Sequence, residues 1–282
     1  MKGIYRVFIL FSVAICLSCS HEDNLSQAPN VVRLVDSVDV SMQEILSLGS
    51  KPSSLQGLAV YEDCCYQFYT NGRCRIYNLL DGKLKDDVTL PGGHYGSTVF
   101  NEFEDTEDGL PFLYVGGSMD CKEKEGYVVV NMNSREIDRV IEFDKPCAKQ
   151  VLCAFNFVTG IGYSFGYKDN DLDHEVAPYE VTPFDIETGK CDIVNRFYVK
   201  NEGHLQDAVF DKGKIWICTG WNTQWNGADI PVKVVGIDVA QKATTTILNL
   251  GFLNHEAEGI DIWGGKFMIS MRKVNKVYEV SF

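Results

Sequence analysis

Asn254 to Ile262 reads N-H-E-A-E-G-I-D-I, and weaker copies of this stretch return along the chain at near-even spacing. They are L-Q-G-L-A-V from Leu55, Y-G-S-T-V-F from Tyr95, V-L-C-A-F-N from Val151 and L-Q-D-A-V-F from Leu205. Each opens on a polar or small pair and continues through apolar residues. A turn and a second strand-like run follow, such as Lys214–Cys218 or Lys266–Ser270. With Gln56, Gly96, Leu152, Gln206 and Glu258 as equivalent positions, the offsets are 40, 56, 54 and 52 residues. A four-stranded propeller blade has this length, and it must stack on neighbours because it cannot bury its own faces alone. Five copies therefore predict an all-β, five-bladed β-propeller.

The copies divide residues 31–282 into blades. Blade 1 runs from Leu55 to about Leu90, blade 2 from Tyr95 to Phe143 and blade 3 from Val151 to Val199. Blade 4 runs from Leu205 to Leu250, and blade 5 from Glu258 to the end, which leaves room for only three strands. Val31–Val40, V-V-R-L-V-D-S-V-D-V, alternates like a strand and has no hairpin partner nearby. It is expected to supply the missing outer strand and so close the ring, because an unpaired edge there would invite association. Ser41–Leu48 carries a Ser-x-x-Glu pattern at Ser41–Glu44, which predicts a short helical turn.

Ahead of the propeller, Lys2 and Arg6 precede an apolar run, Val7–Leu17, that ends in C-L-S-C at Cys16–Cys19. The run is too short to span a bilayer and has the layout of a secretory signal, assigned to residues 1–18. Leu17-Ser18-Cys19 resembles a bacterial lipobox, so Cys19 is the expected lipidation site. The following S-H-E-D-N resembles the export signal of surface lipoproteins in Bacteroides-like bacteria, and residues 19–30 read as a tether. The expected location is the outer membrane or cell surface, with a periplasm-facing anchor as the alternative. Contact with the membrane is expected through the lipid alone.

Composition narrows the partners. The chain is 45% hydrophobic and 23% charged, as a globular domain requires. Its formal charge of −13 becomes about −15 once Lys2 and Arg6 leave with the signal. Such a surface repels phosphate backbones, which argues against nucleic acid. Eight cysteines follow Cys19, none in a metal-binding C-x-x-C pair. Cys153 and Cys218 fall in apolar strands and read as small buried hydrophobes. A disulfide from Cys64 or Cys65 to Cys74 is one option for the first hairpin of blade 1.

In a propeller, the loops entering the inner strands share one face with the loops between second and third strands. That geometry collects Gln56, His94, His204, Gln206, His255, Glu256 and Glu258 at the mouth of the central channel. Glu256 and Glu258 are the candidate acid and base, and three His with two Glu could also hold a metal. The alternative is a ring of hydrogen-bonded polar groups. Asp169, Asp171, Asp173 and Glu180 stand at positions 1, 3, 5 and 12 of a calcium-loop count, although His174 sits where a tight loop wants Gly. A solvated acidic loop is the default there, and no other cofactor is implied. Trp221 and Trp225, set among amides, offer aromatic faces suited to sugar rings; packing on a neighbouring blade is the competing use.

Gln56-Gly57, Gly93-His94-Tyr95-Gly96-Ser97, Pro111-Phe112-Leu113-Tyr114, Gln206-Asp207 and Glu256-Ala257-Glu258-Gly259-Ile260 follow one another as in TagC-like propellers. The resemblance covers most of residues 53–282, and the family includes the platform domain of some phage receptor-binding proteins. It implies a five-bladed ring but no established enzymatic activity. Leu55-Gln56-Gly57-Leu58 and the run from Gly259 to Val280 are also similar to the glutaminyl-peptide cyclotransferases. That family has Glu-Ser-Thr-Gly where this chain has Tyr69-Thr70-Asn71-Gly72, so its carboxylate is missing here. The residues thus support a binding module for glycan or a protein partner, with an enzyme of cyclotransferase or glycan lyase/hydrolase type as the alternative.

Overall fold

The computed structural model describes residues 36–282 apart from 39, 92, 107–108, 117–124, 147–148, 169–176, 221–230, 254 and 282. Two short strands come first, β1 (Asp36–Val38) and β2 (Ser41–Ser47). Blade 1 contains β3 (Leu55–Tyr61), β4 (Cys64–Tyr69), β5 (Arg73–Asn78) and β6 (Leu84–Thr89). Blade 2 contains β7 (Ser97–Asp105), β8 (Pro111–Gly116), β9 (Gly126–Asn131) and β10 (Glu136–Glu142). Blade 3 is β11 (Lys149–Asn156), β12 (Ile161–Tyr167), β13 (Tyr179–Asp185) and β14 (Phe197–Val199). Blade 4 is β15 (Leu205–Asp211), β16 (Lys214–Thr219), β17 (Pro231–Asp238) and β18 (Ala243–Leu253). Blade 5 is β19 (Ala257–Trp263), β20 (Lys266–Met271) and β21 (Lys276–Ser281), completed by β2. The five repeats are five blades of a β-propeller.

An N-terminal strand does close the ring, but it is β2 and not Val31–Val40. Ser41 pairs with Ser281 and Ser47 with Lys276, antiparallel along β21. Asp36–Val38 goes instead to blade 4, parallel to Thr246–Leu248. The expected helical turn at Ser41–Leu48 is absent for the same reason. At an open sheet edge, pairing with β21 satisfies the inward-facing backbone groups of β2 and lets Leu46 into the core, which one turn of helix would not do.

Strand composition follows position in the blade. β4, C-C-Y-Q-F-Y, is buried throughout because a middle strand is covered on both faces, whereas the outer β10, E-I-D-R-V-I-E, alternates between exposed and half-buried residues. Five apolar clusters fill the five gaps between adjacent blades. Aromatic pairs span four of them, Phe68–Tyr95, Tyr114–Phe155, Tyr163–Phe210 and Trp216–Phe267. Cys64, Cys65 and Cys74 are free thiols. Cys64 and Cys65 lie opposite Asn78 and Tyr77, and Cys74 opposite Phe68, so the hairpin register does not juxtapose them for a disulfide. Cys153 and Cys218 are buried, as apolar strand residues should be.

The inner strands approach closely. A Cβ on Gly57 would lie 2.4 Å from the Tyr95 carbonyl oxygen, and one on Gly259 would lie 2.5 Å from the Leu58 Cβ. Inner strands have no ladder partner on their channel side, so side chains bridge each gap. Thr98 Oγ1 donates to the Leu58 carbonyl (2.9 Å), and Ser97 Oγ accepts from Cys153 N (2.8 Å). The Tyr167 hydroxyl accepts from Leu205 N (2.9 Å), Asp207 from Ile260 N (2.9 Å) and Asp261 from Val60 N (2.6 Å). These five bonds latch the ring around its channel.

Candidate functional site at the channel mouth

The loops entering the inner strands and the β20–β21 turn meet at one end of the channel. The turn matters because Arg272 follows β20 directly, and its backbone N–H donates to the Glu256 carbonyl (2.8 Å). That bond aims the side chain inward. Arg272 Nη1 donates to Glu256 Oε2 (2.9 Å) and Glu258 Oε1 (3.1 Å), while Nη2 donates to Ser54 Oγ (3.0 Å). Gln206 Nε2 donates to Glu256 Oε1 (3.2 Å) and to the Gly220 carbonyl (3.2 Å). Lys51 Nζ donates to the Arg272 carbonyl. Blades 1, 4 and 5 therefore share one network of two carboxyl groups, one guanidinium, one amide and one hydroxyl.

Electrostatics in this network are set by burial. Glu256 and Glu258 are 6% and 4% exposed, so their charge is poorly solvated. Burial, followed by the negative Glu256 beside it, pushes the Glu258 carboxyl well above the usual carboxylate range, and Arg272 only partly offsets this. Burial, then the Arg272 charge, pulls the Lys51 ammonium down. Glu258 can thus carry a proton and donate a hydrogen bond where an ordinary glutamate would only accept.

The remaining residues divide. Gln56 is buried at the start of β3, with Nε2 donating to the Leu55 carbonyl and Oε1 left without a partner among the described residues. His94 stands at the entry to blade 2 with its pKa lowered by desolvation. The His204 ring faces the Tyr167 hydroxyl, 3.3 Å from Nδ1, and burial pushes that phenol up to about 12. The His255 ring packs on Phe252, 5.1 Å between centroids. Trp221 and Trp225 lie outside the described residues. So do Asp169, Asp171 and Asp173, the first three oxygens of the calcium-loop count. Glu180, the fourth, is buried in β13 and ion-paired with Arg196 Nη1 at 3.1 Å, so a blade side chain already takes its charge. Among the described residues no three His, Cys, Asp or Glu side chains gather as a metal site.

Arg272 is the residue that reading the sequence left out. A lone Arg carries no periodicity or motif. The available signal was charge balance, since two glutamates facing one channel mouth need a cation from somewhere.

No family model and no curated protein sequence matches the chain. Among solved structures it is similar to the glutaminyl cyclase of Myxococcus xanthus, with a TM-score of 0.53 at 12% identity over 86% of this chain and 94% of that one. It is also similar to the hydrazine synthase of Kuenenia stuttgartiensis, with a TM-score of 0.45 at 14% identity over 79% of this chain and 63% of that one. The first likeness extends to the fold.

Proposed function

We propose that this chain is a lipid-anchored extracytoplasmic propeller that binds a glycan or a protein partner at its channel mouth, through Gln56, His94, His204, Gln206, His255, Glu256 and Glu258. The proposal extends to Trp221 and Trp225, which stand between β16 and β17 in the sequence. The observation that carries the reading is the hold of Arg272 on both Glu256 and Glu258. A carboxylate held by a guanidinium is a poor nucleophile or base, but the same group is a fixed, oriented hydrogen-bonding surface. The TagC-like order of motifs supports the same role.

One observation favours an enzyme as the second reading. Glu258 is a proton-holding carboxyl beside a second carboxylate, the pairing used for general acid and base work, and a glutaminyl cyclase shares the fold. A panel of glycans and peptides, some beginning with Gln, separates the two when binding and product are both followed. The binding reading expects a saturable ligand without turnover. It also expects Trp225→Ala to weaken that ligand by about 1–2 kcal/mol, the worth of one aromatic contact, without lowering the melting temperature. Turnover abolished by Glu258→Gln would instead establish the enzyme.

A further inference from the structure

A second cleft opens between blades 2 and 3 at the end of the ring opposite the mouth, with a volume of about 370 Å³. Its position follows from the strands. Asn101 lies at the midpoint of β7 and Glu104 near its end, Phe157 and Gly160 lie in the turn after β11, and Asp185 and Glu187 lie at and just past the end of β13. That volume falls within the range of small-molecule sites.

One wall is aromatic. Phe157 is half-buried and meets Tyr114 edge-on, with centroids 4.9 Å apart, and Tyr127 lines the cleft behind them. The other wall is charged. Glu104 accepts from the Tyr114 hydroxyl (2.7 Å), from Asn101 Nδ2 (3.2 Å) and from Arg139 Nη2 (2.6 Å). Arg139 also faces Asp138 at 2.8 Å and lies over the Phe112 ring at 5.2 Å. A guanidinium is therefore already held here by carboxylate and ring together.

The balance left over is negative. Arg139 is matched by Glu104 and Asp138, while Asp185 and Glu187 face the same cleft. Hydrogen bonds from Thr188 Oγ1 and N–H hold the Asp185 carboxyl below its usual range, so it stays charged. Glu187 is exposed and has no cationic partner among the described residues. Beside the cleft, Phe103 and Val158 present apolar side chains at 73% and 78% exposure.

The geometry points to a second ligand site in this cleft, taking a primary ammonium or guanidinium carried on an apolar body. The aromatic wall stacks the body and faces the cation, and Glu187 with Asp185 meets its charge. An anion is repelled by the excess carboxylate, and a neutral ring would leave Glu187 unmatched. This site is independent of the channel mouth, and no blade 4 or blade 5 residue contributes to it.

Calorimetric titration of the intact protein with phenethylamine, phenethyl alcohol and phenylacetate at low salt tests the assignment. The amine is expected to bind at least about tenfold more tightly than the alcohol, and phenylacetate not to saturate. Glu187→Gln, an exposed substitution with no packing role, is expected to weaken the amine about fivefold at unchanged melting temperature, and Phe157→Leu about threefold. Competition by a blocked Arg-containing peptide would assign the cation to a basic side chain, and lack of it to a free amine. Equal binding of all three probes would overturn the site. So would wild-type amine affinity in Glu187→Gln, or loss of binding on Arg272→Ala alone.

Discussion

At the scale of single residues, the mouth depends on charges buried together. Arg272→Ala leaves Glu256 and Glu258 without their cation, and loss of one partner from a buried pair is strongly destabilising. The Arg272 side chain is 37% exposed, however, so solvent screens part of the interaction. The expected loss is about 2 kcal/mol in urea unfolding, with Glu258→Gln in the same chain recovering part of it. Asp261 supplies a second test. It is fully buried, and burial pushes its carboxyl to about 7, despite the Val60 and Ile262 N–H groups it accepts from. Because the folded carboxyl holds its proton more tightly than the unfolded one, its contribution is largest at acid pH and is lost as pH rises from about 4 to about 7. This is the reverse of a salt-bridged aspartate such as Asp87, whose pKa is lowered by Arg73. Wild type should therefore lose about 2–4 kcal/mol relative to Asp261→Asn between pH 4.5 and pH 8, to order of magnitude. A pH-independent difference between the two proteins would show that Asp261 does not titrate in the fold.

At the scale of elements, the ring was readable because its inner strands must be alike. Each needs a residue small enough, or polar enough, for close approach and latching, and so Gly57, Ser97, Cys153, Asp207 and Gly259 recur in register. The closing strand was harder to place. Val31–Val40 has the stronger alternation, but β2 is an outer strand with one buried side chain, Leu46, and such a strand needs little pattern to pair. Its Ser-x-x-Glu resembles a helix start, yet Glu44 instead pairs with Lys276 of β21, with Nζ 2.5 Å from Oε2. Truncation separates the strands. A chain beginning at Ser41 should keep most of its stability, whereas one beginning at Leu48 should lose about 3–5 kcal/mol, from Leu46 and the seven-residue ladder. Equal melting of the two truncations would contradict closure by β2.

For the whole molecule, the fold leaves its two ends chemically distinct. The mouth carries an internally neutralised glutamate pair, and the opposite end carries the aromatic, acid-rich cleft. If the proposed lipid anchor at Cys19 holds, Cys19→Ala is expected to move the protein from the membrane pellet to the soluble fraction, checked by fractionation. Retention in the pellet would remove the anchor from the account. The mouth itself could be outlined from sequence only as far as the repeat fixed the ends of inner strands. The pairing of Arg272 with two glutamates depends on a turn 216 residues along the chain from Gln56, which no local pattern encodes. Under the proposed function, this pairing makes the mouth a receptor and not a catalyst. The most direct test follows heat of binding and ligand mass together, for wild type and Arg272→Ala, against glycan fragments and peptides with N-terminal Gln. The account predicts saturable heat with unchanged ligand mass, and affinity about tenfold lower for Arg272→Ala. Conversion of any ligand by wild type, lost in Glu258→Gln, would contradict it.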